Sequence, residues 1–467
     1  MSDRQFDVVV IGGGPVGENA ADYAVQGGLS AAIVESELLG GECSFWACMP
    51  SKALLRTGQA AAALRRLPGT VAEFDPKAVL ARRDAITHDW DDTSQVQWAE
   101  GAGITVLRGP GRITGERTVE VAGPEPLTLT ARHAVVVCTG SHPVVPPVPG
   151  LDSVRTWGSR DATAAKEVPA RLGVLGGGVV GCEMAQAFRS FGSEVVLIQH
   201  GPRLLAGAEP FAGDRVAAAF RAEGVDVRLD TGLDRVSADG DAIALHLGDE
   251  TVVVDELLVA TGRKPNSDAI GVDTVGLAPG APLTVDDSGL VAGVPGGWLY
   301  AAGDVTGRAP LTHQGKYAAR LVGSAIVARA AGRQADTAPW GEHAATADHV
   351  AVPQVVFTDP EVAWVGRTAA AARQAGIDVR VVDVPIAVAG SYLHADGYDG
   401  AARLVVDESR GVLVGVTFVG QDVAEMLHAA TVAVVGEVPL HRLWHAVAAY
   451  PTISEVWLRL LESYRDN

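Results

Sequence analysis

Residues 7–17 read DVVVIGGGPVG, which is an apolar stretch followed directly by a G-x-G-x-x-G motif. The apolar stretch is typical of a buried strand, and the alanine-rich residues after Gly17 predict a helix. In this order the glycines permit a tight turn and a close approach of the backbone to a pyrophosphate, whose charge the helix N-terminus stabilises. We therefore predict a dinucleotide site that contains Gly12, Gly14 and Gly17.

A second copy of this pattern lies at residues 172–181, which read LGVLGGGVVG. Each copy is followed by a helical stretch and then by a second apolar strand, at residues 31–34 and 195–198. A lone glycine motif is a weak signal, but the full order of strand, loop, helix and strand, present twice, is a strong one. The repeat predicts a second nucleotide site with Gly176, Gly178 and Gly181, and the alternative is a pair of ordinary glycine-rich turns.

The second strands of the two copies end in different side chains. Glu35 ends the first strand, at the position where a carboxylate accepts hydrogen bonds from an adenosine ribose. Gln199 takes that position in the second copy, and His200 and Arg203 follow it. A neutral residue does not repel a 2′-phosphate, and the two basic residues can bind one, so NADPH is slightly favoured. A glutamine also hydrogen-bonds the ribose of NADH, and both nucleotides stay open.

The two cysteines at residues 43 and 48 lie in the segment 40–52, which reads GGECSFWACMPSK. A pair of cysteines this close can form a small strained disulfide, which is the labile and catalytic kind rather than a structural one. The alternative is a chance pair of buried thiols, since an isolated cysteine usually behaves as a small hydrophobic residue. The position just after the first glycine loop favours a redox pair, with Lys52 close by in the sequence.

The composition is that of a large α/β protein of 467 residues, with 48% hydrophobic and 20% charged residues. A net charge of -19 argues against nucleic acid or an anionic membrane as a partner. No signal peptide precedes the first strand and no apolar run approaches a membrane span, so a cytoplasmic location is expected. His441 and His445 have a helical spacing that suits a metal, but no third ligand is near in the sequence, and we expect no metal site.

These motifs resemble those of the class I FAD-dependent pyridine nucleotide-disulfide oxidoreductases, the family of dihydrolipoamide dehydrogenase, glutathione reductase and mercuric reductase. The resemblance extends from Asp7 to about Glu455, and its most specific part is Cys-x4-Cys-x-Pro-Ser-Lys from Cys43 to Lys52. It implies an α/β fold with two doubly wound Rossmann-like nucleotide-binding domains and an α+β C-terminal dimerisation domain, assembled as a homodimer. The expected boundaries are 1–148 and 266–340 for a split FAD-binding domain, 149–265 for the NAD(P)-binding domain and 341–467 for the dimerisation domain.

The resemblance also implies a role for each residue of the redox site. A hydride passes from NAD(P)H to the flavin, which then reduces the disulfide. Cys48 is expected against the flavin as a thiolate, and Cys43 is expected to be the interchange thiol that attacks the substrate. Lys52 is expected beside the flavin in an ion pair with Glu183, although the helix dipole alone also favours a glutamate in a first turn.

Further cofactor contacts follow from the same resemblance. The segment at Gly303 and Asp304 resembles the second FAD motif of the family, whose aspartate binds the ribityl chain. Two strands that end in Thr-Gly precede the expected crossovers between the nucleotide domains. The other cofactor-binding residues expected are Gly41, Lys52, Thr139, Gly140, Gly262 and Arg263.

The chain departs from the family near its C-terminal end. Disulfide reductases of the family carry His-Pro-Thr-x-x-Glu there, supplied by the other subunit, whereas residues 450–455 read YPTISE. An unperturbed phenol has a pKa of about 10 against about 6.5 for an imidazole, so Tyr450 is a poor general base at pH 7. Mercuric reductases share a tyrosine here, but they also end in a vicinal cysteine pair that residues 458–467 lack. Tyr450 and Glu455 are catalytic candidates, and a packed interface tyrosine is the alternative.

A second departure lies around the cysteines. Glu42 stands where the family usually has a threonine that contacts FAD, and Phe45 and Trp46 stand where it has small and aliphatic residues. Two adjacent rings can shape a site for a planar acceptor, because aromatic faces stack at low entropy cost. Simple packing of the two rings beneath the flavin domain is the favoured interpretation.

The leading hypothesis is an FAD-dependent NAD(P)H oxidoreductase with a redox-active disulfide between Cys43 and Cys48. Its small-molecule acceptor is a small disulfide or, given Tyr450, a quinone or a metal ion. Dihydrolipoamide dehydrogenase proper is one alternative, disfavoured because its thiol deprotonation relies on the missing histidine. A flavin-bound redox sensor or assembly subunit with little turnover is an alternative of another class.

Overall fold

The computed structural model describes residues 2–466, with side chains from residue 4 onward. The chain divides into two compact units. The first contains the residues up to Pro50 together with Asp84–Val144 and Arg263–His349. The second contains Ser51–Arg83, Val145–Gly262 and the residues from Val350 onward.

The elements are numbered in chain order. The strands are β1 (Ser2–Ile11), β2 (Ala31–Glu35), β3 (Ile104–Arg108), β4 (Gly111–Gly115), β5 (Thr118–Val121), β6 (Leu127–Val137), β7 (Ser141–Pro143), β8 (Arg171–Leu175), β9 (Glu194–Ile198), β10 (Asp226–Arg228), β11 (Arg235–Asp239), β12 (Ala242–Leu247), β13 (Glu250–Val254), β14 (Glu256–Val259), β15 (Arg263–Pro265), β16 (Leu299–Ala301), β17 (Pro353–Val356), β18 (Glu361–Gly366), β19 (Val379–Pro385), β20 (Ala401–Asp407) and β21 (Val412–Gly420). The helices are α1 (Pro15–Gln26), α2 (Gly41–Phe45), α3 (Cys48–Arg65), α4 (Pro76–Ile86), α5 (Thr93–Gly101), α6 (Ser159–Ala164), α7 (Val179–Ser190), α8 (Pro210–Ala222), α9 (Thr312–Ala330), α10 (Ala347–Val350), α11 (Ala369–Gln374), α12 (Ala389–His394), α13 (Leu427–Val435), α14 (Leu440–Leu443) and α15 (Val456–Asp466).

A seven-stranded sheet forms the centre of the first unit. Its order is β3-β2-β1-β6-β5-β4, with β16 paired to β6, and the pairs among β1, β2, β3, β6 and β16 are parallel. The middle of β1 is the run Val8-Val9-Val10, which is fully buried on both faces of the sheet. Near-continuous apolar strands of this kind belong to parallel sheets covered on both sides, and α1 and α9 pack against each other here.

The second unit holds three sheets. A parallel sheet of four strands has the order β10-β9-β8-β14, and an antiparallel sheet of three strands has the order β11-β12-β13. The third is an antiparallel sheet of five strands with the order β17-β18-β21-β20-β19. Trp157 and Phe188 lie in the large apolar core of this unit, with ring centroids 5.6 Å apart.

The fold class expected from the sequence is confirmed. Both predicted copies of strand, glycine loop, helix and strand are present, as β1–α1–β2 and β8–α7–β9. The domain boundaries given above stay a prediction. Within residues 2–466, no helix combines the length and the apolar composition that a membrane span requires.

Candidate active site

The first glycine loop leaves no room for side chains at two of its positions. Gly12 has φ of 101°, and a Cβ there would lie 2.4 Å from the carbonyl oxygen of Cys138. A Cβ on Gly17 would lie 1.9 Å from the carbonyl oxygen of Gly12. Gly14, by contrast, has nothing of the chain nearer than 3.9 Å to its missing Cβ, and it precedes the first residue of α1. The start of this helix is thus open to a ligand, and its first N–H groups lack intrahelical partners.

Glu35 closes this loop. One carboxylate oxygen accepts the backbone N–H of Gly13 at 2.6 Å, and the other accepts the N–H of Glu37 at 2.7 Å. The side chain is buried at 8% exposure. Because both oxygens are tied to the backbone, the carboxylate is held in one orientation at the end of β2, where the sequence predicted a ribose contact.

Gln199 closes the second loop in the same way. Its side-chain carbonyl oxygen accepts the N–H of Gly177 at 2.8 Å. His200 and Arg203, which follow it, are exposed and make no hydrogen bond or ion pair with any residue that the structure describes. The second loop therefore ends in a neutral amide with two basic side chains open to solvent.

Asp304 and Arg263 belong to one hydrogen-bonded network in the first unit. Ser141 donates its hydroxyl to Asp304 at 2.6 Å and accepts the Nε–H of Arg263 at 2.7 Å. Arg263 also donates to the carbonyl oxygen of Ser141 and to the carboxylate of Glu42, each at 2.6 Å. The guanidinium predicted to bind a cofactor thus compensates the charge of Glu42, the residue that departs from the family pattern.

The other predicted cofactor residues lie where parallel strands end. Thr139 and Gly140 follow β6, Gly303 follows β16, and Gly262 follows β14 in the second unit. The carboxyl edge of such sheets is where nucleotides bind. Gly41 lies against the first glycine loop, since a Cβ on it would be 2.7 Å from Gly14 Cα.

Cys43 and Cys48 are thiols in this structure, Cys43 in α2 and Cys48 at the start of α3. The sulfur of Cys48 lies 3.2 Å from the hydroxyl oxygen of Thr312, which is the first residue of α9. Either atom can be the donor, and if the hydroxyl donates, both this bond and the N-terminus of a long helix favour a thiolate over a thiol. Sequence reasoning missed Thr312, and the available signal was a threonine that opens a helix shortly after the Gly303-Asp304 motif.

The two remaining cysteines are structural. Cys138 and Cys182 are buried at 6% and 0% exposure. Burial raises the pKa of Cys138 to about 12 and raises that of Cys182 further above its ordinary range. Both thiols are therefore inert at neutral pH.

The expected ion pair between Lys52 and Glu183 is formed in the second unit. The Lys52 ammonium lies 2.8 Å from one carboxylate oxygen of Glu183, and the other oxygen accepts the N–H of Phe357 at 3.0 Å. Glu183 is only 3% exposed, and the ammonium also lies 5.0 Å from the centroid of the Phe357 ring. A buried carboxylate with this many partners is held rigidly and fixes the ammonium in turn.

Tyr450 and Glu455 make no hydrogen bond with each other in the structure. Tyr450 is 77% exposed, and its hydroxyl makes no hydrogen bond with the described residues. Glu455 Oε1 accepts Arg459 at 2.7 Å, whereas Glu455 Oε2 is buried and has no hydrogen-bond partner among residues 2–466. A buried carboxylate oxygen without a partner is costly.

The rings between the cysteines differ in burial. Phe45 is 1% exposed, whereas Trp46 is only partly buried, and their centroids are 5.8 Å apart. Phe45 is therefore a core residue, as the packing interpretation expects. The carbonyl oxygen of Phe45 accepts the indole N–H of Trp90 at 3.0 Å.

The residues of the first unit fit FAD. The loop at Gly12–Gly17 excludes side chains where a diphosphate would approach, and Glu35 is oriented to receive ribose hydroxyls. Asp304 is held by Ser141 at the end of β16, as a ribityl contact requires. These residues are compatible with FAD, and the cofactor contacts predicted from the sequence stay a prediction.

Comparison with known proteins agrees with this geometry. Residues 6–332 match the pyridine nucleotide-disulphide oxidoreductase model, and residues 352–460 match the dimerisation domain of the same family, which supports a homodimer. A dihydrolipoyl dehydrogenase of Chlamydia trachomatis is 31% identical over 97% of this chain and 96% of its own length. A mercuric reductase of Acidithiobacillus ferrooxidans is 33% identical over 97% of this chain and 81% of its own length.

Solved structures of similar proteins include the HOCl-induced flavoprotein disulfide reductase RclA from Escherichia coli. Its Cu(II) complex is 25% identical, with a TM-score of 0.84 over 98% of this chain and 99% of that one. Another structure of RclA is 26% identical, with a TM-score of 0.83 over 98% and 99% of the two chains. The family match, these relatives and the site together show that the chain belongs to the FAD-dependent pyridine nucleotide-disulphide oxidoreductases.

Proposed function

We propose that this protein oxidises NAD(P)H, with NADPH preferred, and passes the electrons through FAD and the Cys43–Cys48 pair to an acceptor whose reduction needs no imidazole base. A metal ion such as Cu(II) is the acceptor best supported, and a quinone is the second candidate. Bound FAD supplies the chemistry that joins a two-electron hydride donor to a disulfide or to a one-electron acceptor.

The chain itself supplies the charges and donors around the pair. Thr312 and the start of α9 stabilise the thiolate of Cys48 through a contact of 3.2 Å. Lys52, which follows Cys48 by four residues in the sequence, is held by Glu183 within the second unit. Cys43, which lies in α2, is the sulfur to which the family resemblance assigns the exchange with the acceptor.

The preference for an acceptor that needs no base rests on Tyr450 and Glu455. Tyr450 replaces the imidazole, is exposed, and has a hydroxyl without a partner among the described residues. Glu455, the residue expected to orient a base, is bound instead by Arg459 at 2.7 Å. Disulfide exchange needs a proton taken from one thiol and returned to another, and a positioned base contributes about 10² to 10⁴-fold to such a step.

Metal-ion reduction avoids that requirement. The reaction NADPH + 2 Cu(II) → NADP⁺ + 2 Cu(I) + H⁺ balances two electrons against two ions, and soft thiolates such as those of Cys43 and Cys48 suit the Cu(I) product. Relatives support this acceptor class, since mercuric reductases resemble the chain and RclA has been solved as a Cu(II) complex. A quinone is supported by the partly buried Trp46, whose ring lies between the two cysteines in the sequence.

The preference for NADPH has its support in the second loop. Gln199 places a neutral amide where Glu35 places a carboxylate in the first loop. His200 and Arg203 are both exposed and unengaged by the residues that the structure describes. A 2′-phosphate would therefore meet two available donors and no fixed negative charge at the end of β9.

An acceptor panel tests the proposal. NADPH oxidation by the holoenzyme is measured with chelated Cu(II), menadione, lipoamide and glutathione disulfide. We expect the rates with Cu(II) and menadione to exceed those with the disulfides by about 100-fold or more. Tyr450→His should raise disulfide reduction and leave Cu(II) reduction unchanged, whereas the same substitution at the exposed Tyr392 should change neither.

Two outcomes would contradict the proposal or refine it. Wild-type turnover of lipoamide at the rate of the best other acceptor would favour dihydrolipoamide dehydrogenase. Cys43→Ser separates the two remaining candidates, because metal-ion reduction at the thiol pair should be lost while quinone reduction persists. Loss of neither activity would show that the pair takes no part in turnover.

A further inference from the structure

The segment His88–Trp90 has an unusual backbone. Its three residues have φ of 49°, 51° and 59°, so three successive residues with a Cβ are in the left-handed region. L-residues enter this region singly and rarely as a run, because the Cβ approaches the neighbouring carbonyl. Strained backbone of this kind persists only where the surroundings hold it, and it is concentrated at functional sites.

The segment is held against the turn that carries Cys43. The indole N–H of Trp90 donates to the carbonyl oxygen of Phe45 at 3.0 Å, and Phe45 is the last residue of α2. Two residues further on, Asp92 accepts the N–H of Leu39 at 2.6 Å, just before α2 begins. Trp90 and Asp92 therefore form hydrogen bonds near the two ends of α2, the one-turn helix that contains Cys43.

The hydrogen bond from Trp90 gives the carbonyl oxygen of Phe45, at the end of α2, a partner. The last carbonyl groups of a helix have no intrahelical partner, and Phe45 is buried at 1% exposure, where water does not reach. The following N–H groups do not supply a partner, since Trp46 and Ala47 both donate to the carbonyl oxygen of Glu42. Without the indole, this carbonyl would lose the hydrogen bond that fixes the end of α2.

We infer that Trp90, presented by the left-handed segment His88–Trp90, is a positioning residue that orders the Cys43 turn in the dithiol state. This inference rests on the proposed redox role of Cys43 and Cys48. Closing the disulfide oxidises both thiols and releases two electrons and two protons. In the disulfide the new covalent bond restrains the turn, so an external restraint matters most while both sulfurs are thiols.

The inference predicts the direction of a redox shift. A turn that is ordered before the bond forms loses less conformational freedom on oxidation, which favours the disulfide. Removal of the indole N–H should therefore shift the equilibrium toward the dithiol and make the pair easier to reduce. One hydrogen bond corresponds to a factor of about 2 to 10 in that equilibrium constant. For a two-electron couple this factor equals a rise of about 10 to 30 mV in midpoint potential.

The test compares Trp90→Phe with Trp98→Phe in the FAD-loaded protein. Trp98 is 46% exposed on the neighbouring α5 and serves as the matched control. The fraction of Cys43 and Cys48 alkylated is measured across a dithiothreitol redox series, together with long-wavelength absorbance of the thiolate against the flavin. We expect the midpoint to rise for Trp90→Phe and to stay at the wild-type value for Trp98→Phe, with FAD content equal in both.

A second pair of variants addresses the backbone. Asp89→Gly keeps a positive φ without strain, so the midpoint should not move. Asp89→Pro forces a negative φ at this exposed position and should reproduce the shift of Trp90→Phe. Equal midpoints for Trp90→Phe and wild type would overturn the inference alone. Absence of any thiol–disulfide transition in the wild type would overturn the proposed function as well.

Discussion

The two glycine loops share one backbone design and differ in the side chain that closes each loop. Gly12 and Gly176 have φ of 101° and 112°, and a Cβ on either would lie 2.4 Å from a carbonyl oxygen of a neighbouring strand end. A Cβ on Gly17 or Gly181 would lie 1.9 Å from the carbonyl oxygen of the first glycine of its own loop. The shared backbone explains why both loops can approach a pyrophosphate, and it carries no information about which dinucleotide binds.

We propose that the side chains that close the loops determine which dinucleotide binds. Glu35 and Gln199 accept the same kind of backbone N–H, at 2.6 Å and 2.8 Å, so the two side chains occupy equivalent places. The remaining difference is one negative charge. In the proposed function the shared backbone geometry forms both nucleotide sites, and the charge of the closing side chain distinguishes the nucleotides.

The largest effect is expected from filling the space of the glycines. Gly181→Ala should lower kcat/KM for NADPH by about 10- to 100-fold, because overpacking against a backbone carbonyl costs about 1–3 kcal/mol. The flavin content, measured by absorbance, should stay complete, since the first loop is untouched. Gly178→Ala is the matched control for folding and not for activity, because no atom lies within 4 Å of its missing Cβ.

Gly178→Ala also tests the ligand itself. Thermal stability should be unchanged, since the chain has room for the methyl group, but the approach of a pyrophosphate should be blocked and kcat/KM should fall. Normal activity in Gly178→Ala would show that the dinucleotide does not approach the second loop at this glycine.

An intermediate effect, on the preference between NADPH and NADH, is expected from changing the charge at the side chain that closes the second loop. Gln199→Glu should lower the ratio of kcat/KM for NADPH to that for NADH by about 10-fold or more, because a carboxylate would face the 2′-phosphate. Arg203→Ala should lower the same ratio by about 5- to 10-fold through the loss of one charge-assisted hydrogen bond. Steady-state kinetics with both nucleotides measures both ratios.

The double variant sharpens the result. If Gln199 and Arg203 act on one phosphate, the effects of Gln199→Glu and Arg203→Ala should not add in a double-mutant cycle. A wild type that already prefers NADH, with a ratio insensitive to either change, would contradict the assignment of NADPH.

The smallest effect concerns the residue that follows the last glycine of each loop, which is Glu18 in the first loop and Cys182 in the second. Burial raises the pKa of the Glu18 carboxyl from 4.5 to about 7, and the nearby Lys316 opposes that rise. The folded state therefore binds a proton that the unfolded state has released between pH 4.5 and 7. Glu18 thus costs stability as the pH rises through this window.

Glu18→Gln should remove this part of the pH dependence. The melting temperature of the holoenzyme, compared with wild type, should be unchanged at pH 5 and higher by a few degrees at pH 8, in line with a cost of about 3 kcal/mol or less. Cys182→Ser is the counterpart in the second loop and should shift the melting temperature equally at both pH values, because its thiol stays protonated throughout. Equal shifts for Glu18→Gln at both pH values would contradict an ionised buried carboxylate.

Local patterns in the sequence were enough to predict the repeated units. The apolar runs at 7–11 and 172–175, with their glycines, became β1 and β8 followed by α1 and α7. These units could be predicted because each strand, loop and helix is specified by residues that are adjacent in the sequence. The pairing of Lys52 with Glu183 came from resemblance alone, since no local signal links residues so far apart in the sequence.

Tertiary structure decided the contacts that join distant segments. The approach of Thr312 to Cys48, the bond from Trp90 to Phe45 and the bridge from Arg263 to Glu42 each join residues from separate parts of the chain. No periodicity reports such contacts, because each depends on how strands and loops are ordered in the sheet rather than on spacing along the chain. The sequence by itself determined the two glycine loops and the cysteine pair. The fold decided which distant side chains form hydrogen bonds and ion pairs around them.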